Sequence, residues 1–400
     1  MRVLFTFGGG GGHFHPLVPL ARALATAGHD VGFASPASFA PHVKASGFRC
    51  LLTPSWSILE IAKTLGFFDL PPLVARDLMR RRLFPELSPQ ALLPDLVALR
   101  ASWPPDLVVS DNYEFAGRVA AESWGIPHAS LKVGDVYSYG ERHALVPAMD
   151  ALRARVGLSA DPDGAMLFRY CYFLTEPPGL QSATAVLPPT AVHLRHVVFD
   201  HSGPETRPDW LADLADQPTV YATAGTAFNK TPGLLESILA GLRNEPINLI
   251  LTVGRDRDPA MFGPQSPNIH IERYIPQSLV FDACDLVVSH CGTGTMLAAL
   301  NHGLPMVNIP IAADQPENAA RCAELECGLT VDSEHRTPEA IRAAVRTVLV
   351  EPRYRHTAQR LRAEMRAMPG LETAVKLLEQ LKAREQVFEP QPIDQGVSGE

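Results

Sequence analysis

Leu286-Val287-Val288-Ser289-His290-Cys291-Gly292-Thr293-Gly294-Thr295 is an apolar, β-branched run that stops at a turn of small and hydroxylated residues. Such a run, bounded by a Gly-rich break, predicts a buried strand. The small residues after it let a helix begin with its first amides uncovered, and those amides together with the helix dipole favour a bound anion. Thr293 and Thr295 add hydroxyl donors, and His290 adds a further donor or a positive charge. Cys291 lies within the turn, where its small size is a sufficient reason for it. Downstream, Pro305-Met306-Val307-Asn308-Ile309-Pro310 reads as the next buried strand, so Asp314-Gln315 falls just past its C-terminal end. In an open parallel sheet that edge is where ligands bind.

The same strand-turn-helix unit recurs on both sides of this stretch. Upstream, Thr219 to Thr223 predicts a strand running into Ala224-Gly225-Thr226, followed by a helix over about 232–243 and a strand from Asn248 to Val253. At the N-terminus, Val3 to Phe7 predicts a strand, then a Gly-rich turn, a helix from about Leu17 to Ala27 and a second strand from Asp30 to Ala34. Leu107 to Ser110 forms another strand, ending at Asp111, with a helix from about Phe115 to Trp124. This alternation is the βαβ pattern of doubly wound sheets. Between the halves, the pattern lapses into a polar, Pro-containing stretch, which reads as a linker. The expected organisation is a first α/β domain over 1–205, a linker over 206–217, a second α/β domain over 218–370, and a disordered tail over 386–400, rich in Pro, Gln and Gly.

A chain of 400 residues with 46% hydrophobic content can bury two substantial cores. Its net charge of −8 and the lack of a Lys/Arg run interleaved with aromatics exclude the electrostatic footprint of a nucleic-acid binder. Arg80-Arg81-Arg82 reads as a solvated helix face. The first apolar segment ends at Gly8, too short for a signal-peptide core or a membrane span, so a cytoplasmic protein is expected. Cys50, Cys171, Cys284, Cys291, Cys322 and Cys327 are scattered without metal-ligand or disulfide-framework spacing, and free thiols are expected.

A second chemical constellation is Gly8-Gly9-Gly10-Gly11-Gly12-His13-Phe14-His15-Pro16, directly after the first strand. Glycines there let backbone approach a ligand closely. A dinucleotide fingerprint is the rival reading, but His13, His15 and Pro16 occupy the helix start, and Asp30 begins the second strand where an acidic residue would have to end it. His13 can serve as a general base titrating near neutrality or as a capping histidine. Asp111 can orient an imidazole or cap the helix that follows it.

Taken in order, Tyr274-Ile275-Pro276-Gln277, His290-Cys291-Gly292, Gly303-Leu304-Pro305 and Asp314-Gln315-Pro316-Glu317-Asn318-Ala319 closely resemble the donor signature of the nucleotide-sugar-dependent natural-product glycosyltransferases, including those of actinobacterial antibiotic pathways and their plant relatives. The resemblance implies the GT-B fold, in which two Rossmann-like domains face each other across a cleft. The acceptor would lie on the first, the nucleotide sugar mainly on the second, and the last helix, over 372–383, would cross back to the first. It implies an inverting transfer with His13 as general base and Asp111 as its carboxylate partner. His290, Gly292, Thr293, Gly294 and Thr295, with Gly225 and Thr226, would hold the diphosphate; Tyr274, Ile275 and Gln277 the nucleobase; Asp314 and Gln315 the sugar hydroxyls.

Trp56, Phe67, Phe84 and Tyr137 are candidates for the acceptor pocket, and such aromatics suit an aromatic or polyketide-like aglycone. No carboxylate pair of Asp-x-Asp type accompanies the donor motif, so no metal or other cofactor is expected besides the co-substrate. Plant members carry a ribose-binding glutamate where this chain has Ala298, which favours a dTDP-sugar over a UDP-sugar. A lipid-linked or cell-wall glycosyltransferase, a nucleotide-sugar epimerase of the same fold and a catalytically degraded sugar-nucleotide-binding protein are the alternatives. The expected partners are small molecules, in a monomer or homodimer.

Overall fold

The structure, a computed structural model, describes residues 1–134, 137–200, 205–225, 231–332 and 335–384. Strands β1 (Arg2–Thr6), β2 (Asp30–Ser35), β3 (Arg49–Leu52), β4 (Leu107–Asp111), β5 (His128–Leu131), β6 (Tyr172–Leu174) and β7 (Ala191–His193) form a seven-stranded sheet in the order β3-β2-β1-β4-β5-β6-β7. The second sheet is six-stranded. Its strands β8 (Thr219–Thr223), β9 (Asn248–Thr252), β10 (Ile269–Glu272), β11 (Leu286–Ser289), β12 (Met306–Asn308) and β13 (Gly328–Thr330) lie in the order β10-β9-β8-β11-β12-β13. Every strand pairing is parallel. Parallel strands need apolar cover on both faces, which is why β1, β4 and β11 are near-continuous hydrophobic runs.

Successive residues of β1 feed opposite faces. Leu4 packs with Val108 and the helix residues Leu92, Leu96 and Val119, whereas Val3 and Phe5 pack with Leu20 and Leu24. The second of these cores also contains Ala374, Val375, Leu378 and Leu381 from the last helix, Leu371–Arg384. That helix therefore closes the first sheet although it lies at the far end of the described chain. Lys382 reinforces it with an ion pair to Asp106 at 3.2 Å.

Both sheets have a switch point, β1 beside β4 and β8 beside β11, where neighbouring strands send their following helices to opposite faces. The Gly-rich turn, Asp111, Gly225 and His290 all leave the sheets at these points. One boundary differs from expectation: the helix assigned from about Leu17 begins earlier, as a short helix Gly11–Phe14 and a tight turn His15–Leu17 that run into the helix Val18–Thr26. Gly10, at φ 77, supplies the left-handed residue from which the chain enters it. His13 consequently sits inside a helical turn. The expected linker is also packed: Leu211 is buried with Tyr221 and Ile275, and the Trp210 ring stacks on His270 at 3.8 Å. The expected tail at 386–400 lies outside the described residues.

Candidate active site

Asp111 is fully buried at the end of β4. One carboxylate oxygen accepts from the Gly8 amide at 2.6 Å and faces His13 Nδ1 at 3.0 Å. The other accepts from the amides of Tyr113 at 2.7 Å and Glu114 at 3.1 Å. Asp111 thus closes the turn that precedes the helix Ala116–Trp124, whose N-cap is Phe115 with no side-chain cap, and at the same time meets the imidazole. An acceptor-only carboxylate fixes the proton on Nδ1 and leaves the Nε2 lone pair as the basic nitrogen. The ring lies against Tyr113 at 5.2 Å and Phe84 at 5.5 Å and is 21% exposed. A Cβ on Gly8 would meet His13 Nδ1 at 2.9 Å, so the glycine is what lets the imidazole reach Asp111.

Glu114 supplies a second layer beneath the pair. Its buried carboxylate accepts from the Thr6 hydroxyl and from the amides of Ala116 at 2.6 Å and Gly117 at 2.9 Å. Burial raises its pKa, the nearby Asp111 charge adding to the effect. His15 turns away from the reacting centre, its ring edge-on to Phe199 at 5.6 Å. Burial lowers its pKa to about 4.

On the other side of the cleft, the helix Thr293–His302 starts from Gly292 with no side-chain cap, so its first amides are uncovered. The His290 ring lies in a slot between two glycines: a Cβ on Gly225 would come within 2.4 Å of it, and one on Gly292 within 2.6 Å. Gly225 and His290 extend from the neighbouring strands β8 and β11, which brings together two residues separated in sequence that were both expected to meet a diphosphate. Enclosure lowers the His290 pKa to about 4, with Asp314 acting in the opposite direction. His290 is therefore neutral around pH 7 in the unliganded protein, which corrects the option of a standing positive charge. A bound diphosphate would favour its protonation.

Gly225→Ala is expected to weaken dTDP binding by at least about tenfold, because the added methyl needs the imidazole's space and the residue holds φ 72. Calorimetric titration with dTDP checks this, and unchanged affinity would remove Gly225 from the donor site.

Thr293 donates to Asp314 at 2.5 Å, tying the turn after β11 to the turn after β12. Asn318, to which the sequence reading gave no role, ties both: its amide donates to the Cys291 carbonyl at 3.0 Å, Thr293 Oγ1 at 3.1 Å and Asp314 at 3.2 Å. Cys291 and Ala313, ahead of these contacts, hold φ 62 and φ 58, local strain of the kind found at ligand sites. The Gln315 side-chain Oε1 accepts from the amides of Ile311 at 2.8 Å and Ala312 at 3.0 Å. Its remaining N–H donors are the part that a sugar hydroxyl can use. Gly294 is exposed, and Thr226 lies outside the described residues.

Gln277 donates to Thr295 at 3.1 Å, linking the segment after β10 to the start of the helix Thr293–His302. Ile275 is buried, and the Tyr274 ring lies under the Arg255 guanidinium at 3.8 Å while its hydroxyl donates to the Asp200 carbonyl. The acceptor candidates separate by position. Trp56 is 2% exposed and donates to Ser88 at 2.9 Å, a core residue behind the Gly-rich turn. Tyr137 is buried too, its hydroxyl on the Arg80 carbonyl at 2.6 Å. Phe84, in the π-helical stretch Met79–Leu87, frames His13, and Phe67 is half-buried. Ala298 is buried in the second domain's core.

The halves meet directly over this site. A Cβ on Gly134 would touch the Tyr113 hydroxyl at 2.6 Å and an Asp314 carboxylate oxygen at 3.2 Å, so the clamp of the second domain stands beside the aromatic ring that packs on His13. Arg76 and Glu317 form an ion pair across the same cleft. Among the described residues no group of three or more His, Cys, Asp or Glu side chains is arranged to hold a metal ion, and no helix is long and apolar enough to cross a membrane.

Residues 73–225 match the family described as erythromycin biosynthesis protein CIII-like, N-terminal domain, and residues 242–381 match its C-terminal domain. The tylactone mycaminosyltransferase of Streptomyces fradiae is 28% identical over 96% of this chain and 93% of its own. The aklavinone 7-beta-L-rhodosaminyltransferase of Streptomyces galilaeus is 28% identical over 98% of each. The solved structure of the Streptomyces sp. SF2575 glycosyltransferase SsfS6, complexed with thymidine diphosphate, superposes with a TM-score of 0.77 at 26% identity, covering 95% of this chain and 99% of that one. Glycosyltransferase VinC in complex with dTDP gives a TM-score of 0.79 at 26% identity, covering 96% of this chain and all of its own (100%). With both halves matched in order and the two facing parallel sheets of GT-B enzymes, the chain belongs to the erythromycin biosynthesis protein CIII-like family of natural-product glycosyltransferases.

Proposed function

We propose that this glycosyltransferase transfers its sugar with inversion from a dTDP-sugar to a hydroxyl of an aromatic or polyketide-like aglycone. The observation that carries the reading is the nearness of the expected sugar clamp and the base: Asp314 and the Tyr113 hydroxyl border the same space beside Gly134, the Tyr113 ring packs on His13, and His13 meets Asp111. A hydroxyl between His13 and a sugar held at Asp314 loses its proton to Nε2 as its oxygen bonds to the anomeric carbon. The bond from that carbon to the β-phosphate oxygen breaks on the opposite face, so the configuration inverts. Asp111 stabilises the imidazolium that forms. Charge gathering on the leaving diphosphate meets the uncovered amides after Gly292, the threonine hydroxyls and His290. Asp314 and the free amide end of Gln315 hold sugar hydroxyls, and the nucleobase lies along Tyr274, Ile275 and Gln277. No metal or further cofactor takes part in this scheme.

The leaning toward dTDP is supported by the alanine at 298 and by the thymidine diphosphate complexes of two structural relatives. With no carboxylate at this position, the site lacks one group that would reward a ribose 2′-hydroxyl. In a donor panel followed by mass spectrometry, dTDP-sugars are expected to exceed the matched UDP-sugars in kcat/KM by about tenfold, the value of one lost hydrogen bond. Equal or better turnover with UDP-glucose would sink the preference, and retention of the donor's anomeric configuration in the product would sink inversion.

A further inference from the structure

Arg118 is a buried cation, 1% exposed, in the first turn of the helix Ala116–Trp124. A guanidinium carries five N–H donors in a rigid fork, and burying one is tolerable only where those donors find oxygens. Arg118 donates one Nη to the Asp111 carbonyl at 2.8 Å and lies over the Phe115 ring at 5.2 Å. Its buried Nε has no partner among the described residues. Glu114 and Asp111 act on it through space, as does Tyr172, but Glu114 directs its oxygens to Thr6, Ala116 and Gly117, and Asp111 directs its own to His13 and backbone amides.

Beside Arg118 lies a cavity of about 10 Å³ lined by Asn112, Phe115, Tyr137, Leu145, Phe168 and Tyr172. That is room for one water or for one terminal oxygen of a ligand. Asn112 is already committed, donating to the Gly134 carbonyl at 2.9 Å and accepting from the Val133 amide at 2.9 Å. Aromatic rings connect the cavity to the base: His13 to Tyr113 at 5.2 Å, Tyr113 to Tyr137 at 6.0 Å, Tyr137 to Phe115 at 5.8 Å. An aromatic and apolar wall with one under-used polar group at its end is how a small-molecule site fixes orientation.

We propose that Arg118 is a specificity-determining residue for the acceptor: it receives a hydrogen-bond-accepting oxygen, a ketone or quinone carbonyl or a carboxylate, carried on the aromatic aglycone away from the hydroxyl that meets His13. The inference rests on the glycosyl-transfer reading above and adds the chemical class of the acceptor. It is tested with hydroxyanthraquinone and hydroxyanthracene bearing the hydroxyl at the same ring position, so that only the carbonyl oxygens differ.

With the wild-type enzyme, KM is expected to be about tenfold or more lower for the quinone, and Arg118→Met is expected to erase that difference. Because Arg118 also donates to the Asp111 carbonyl, the variant is read by the ratio of its KM values for the two acceptors, and calorimetric affinity for dTDP within about twofold of wild type shows that it is folded. Equal KM values in the wild type, a comparison that needs no variant, would overturn the assignment and leave the cavity to a structural water. A quinone preference that survives in Arg118→Met would overturn it as well. Failure to glycosylate any hydroxylated acceptor would instead overturn the transfer reading, and this inference with it.

Discussion

His13→Ala is expected to lower kcat by roughly 10²–10⁴-fold while leaving dTDP affinity within about twofold of wild type. The imidazole is partly exposed and packs only on the edges of a cluster formed by Phe84 and Tyr113, so its removal opens no deep cavity. Asp111 keeps the three backbone amides of Gly8, Tyr113 and Glu114 after the ring is gone. The fold therefore survives and the loss is chemical. Steady-state kinetics at saturating donor, set beside calorimetric titration with dTDP, separate the two. Transfer that persists at the wild-type rate would remove His13 from the mechanism.

Asp111→Asn should be the more damaging change. Asparagine has nearly the same shape, but one of its terminal groups is a donor where aspartate offers only acceptors. If the amide nitrogen faces Gly8 and His13, it opposes the Gly8 N–H, and the imidazole must present a bare Nδ1 and protonate Nε2, the atom that has to accept the acceptor's proton. If it faces the other way, it opposes the amides of Tyr113 and Glu114 and disturbs the turn into the helix Ala116–Trp124. The expected result is a fall in kcat of roughly 10⁴-fold with a stability loss of about 1–3 kcal/mol, read by kinetics and by denaturant unfolding. A variant that is destabilised but, once folded, turns over normally would reduce Asp111 to a turn residue.

The fold was legible because both of its nucleating strands are buried on two faces and so stand out as apolar runs ended by glycine, and because the residues that follow them are committed to the switch points. The candidate donor residues come together for a related reason: His290 and Thr293 follow β11, and Asp314 and Gln315 follow its parallel neighbour β12, so the βα pattern alone brings them to one sheet edge. Contacts across sequence were not legible. Nothing in the Gly-rich turn reveals that Gly8 must be bare to admit His13, or that Gly225 and Gly292 jointly make the slot for His290. That the Tyr113 hydroxyl and Gly134 stand beside Asp314 follows only from the second domain coming down upon them. The sequence left His290 open between a neutral donor and a positive charge because its pKa depends on enclosure, which no motif records. Asn318 was within the quoted motif, and its place one helical turn after Asp314 was the available signal that the two side chains share a face. The acceptor aromatics showed the weakest correspondence, since a large ring serves a core and a pocket equally well, and Trp56 serves the core.

The last helix, Leu371–Arg384, places Ala374, Val375, Leu378 and Leu381 in the core formed by Val3, Phe5, Leu20 and Leu24. During synthesis, the first domain thus leaves the ribosome with an apolar face that its own contiguous residues do not cover. It has to wait for almost the whole chain before that face is sealed. The order in which the polypeptide is made and the order in which its cores can be completed are therefore opposed, a high-contact-order arrangement that leaves the nascent first half exposed to aggregation. Cutting the chain before residue 371 would remove no group of the reacting centre, yet it would strip the lid from the core that holds up β1, and with it the turn that presents the base.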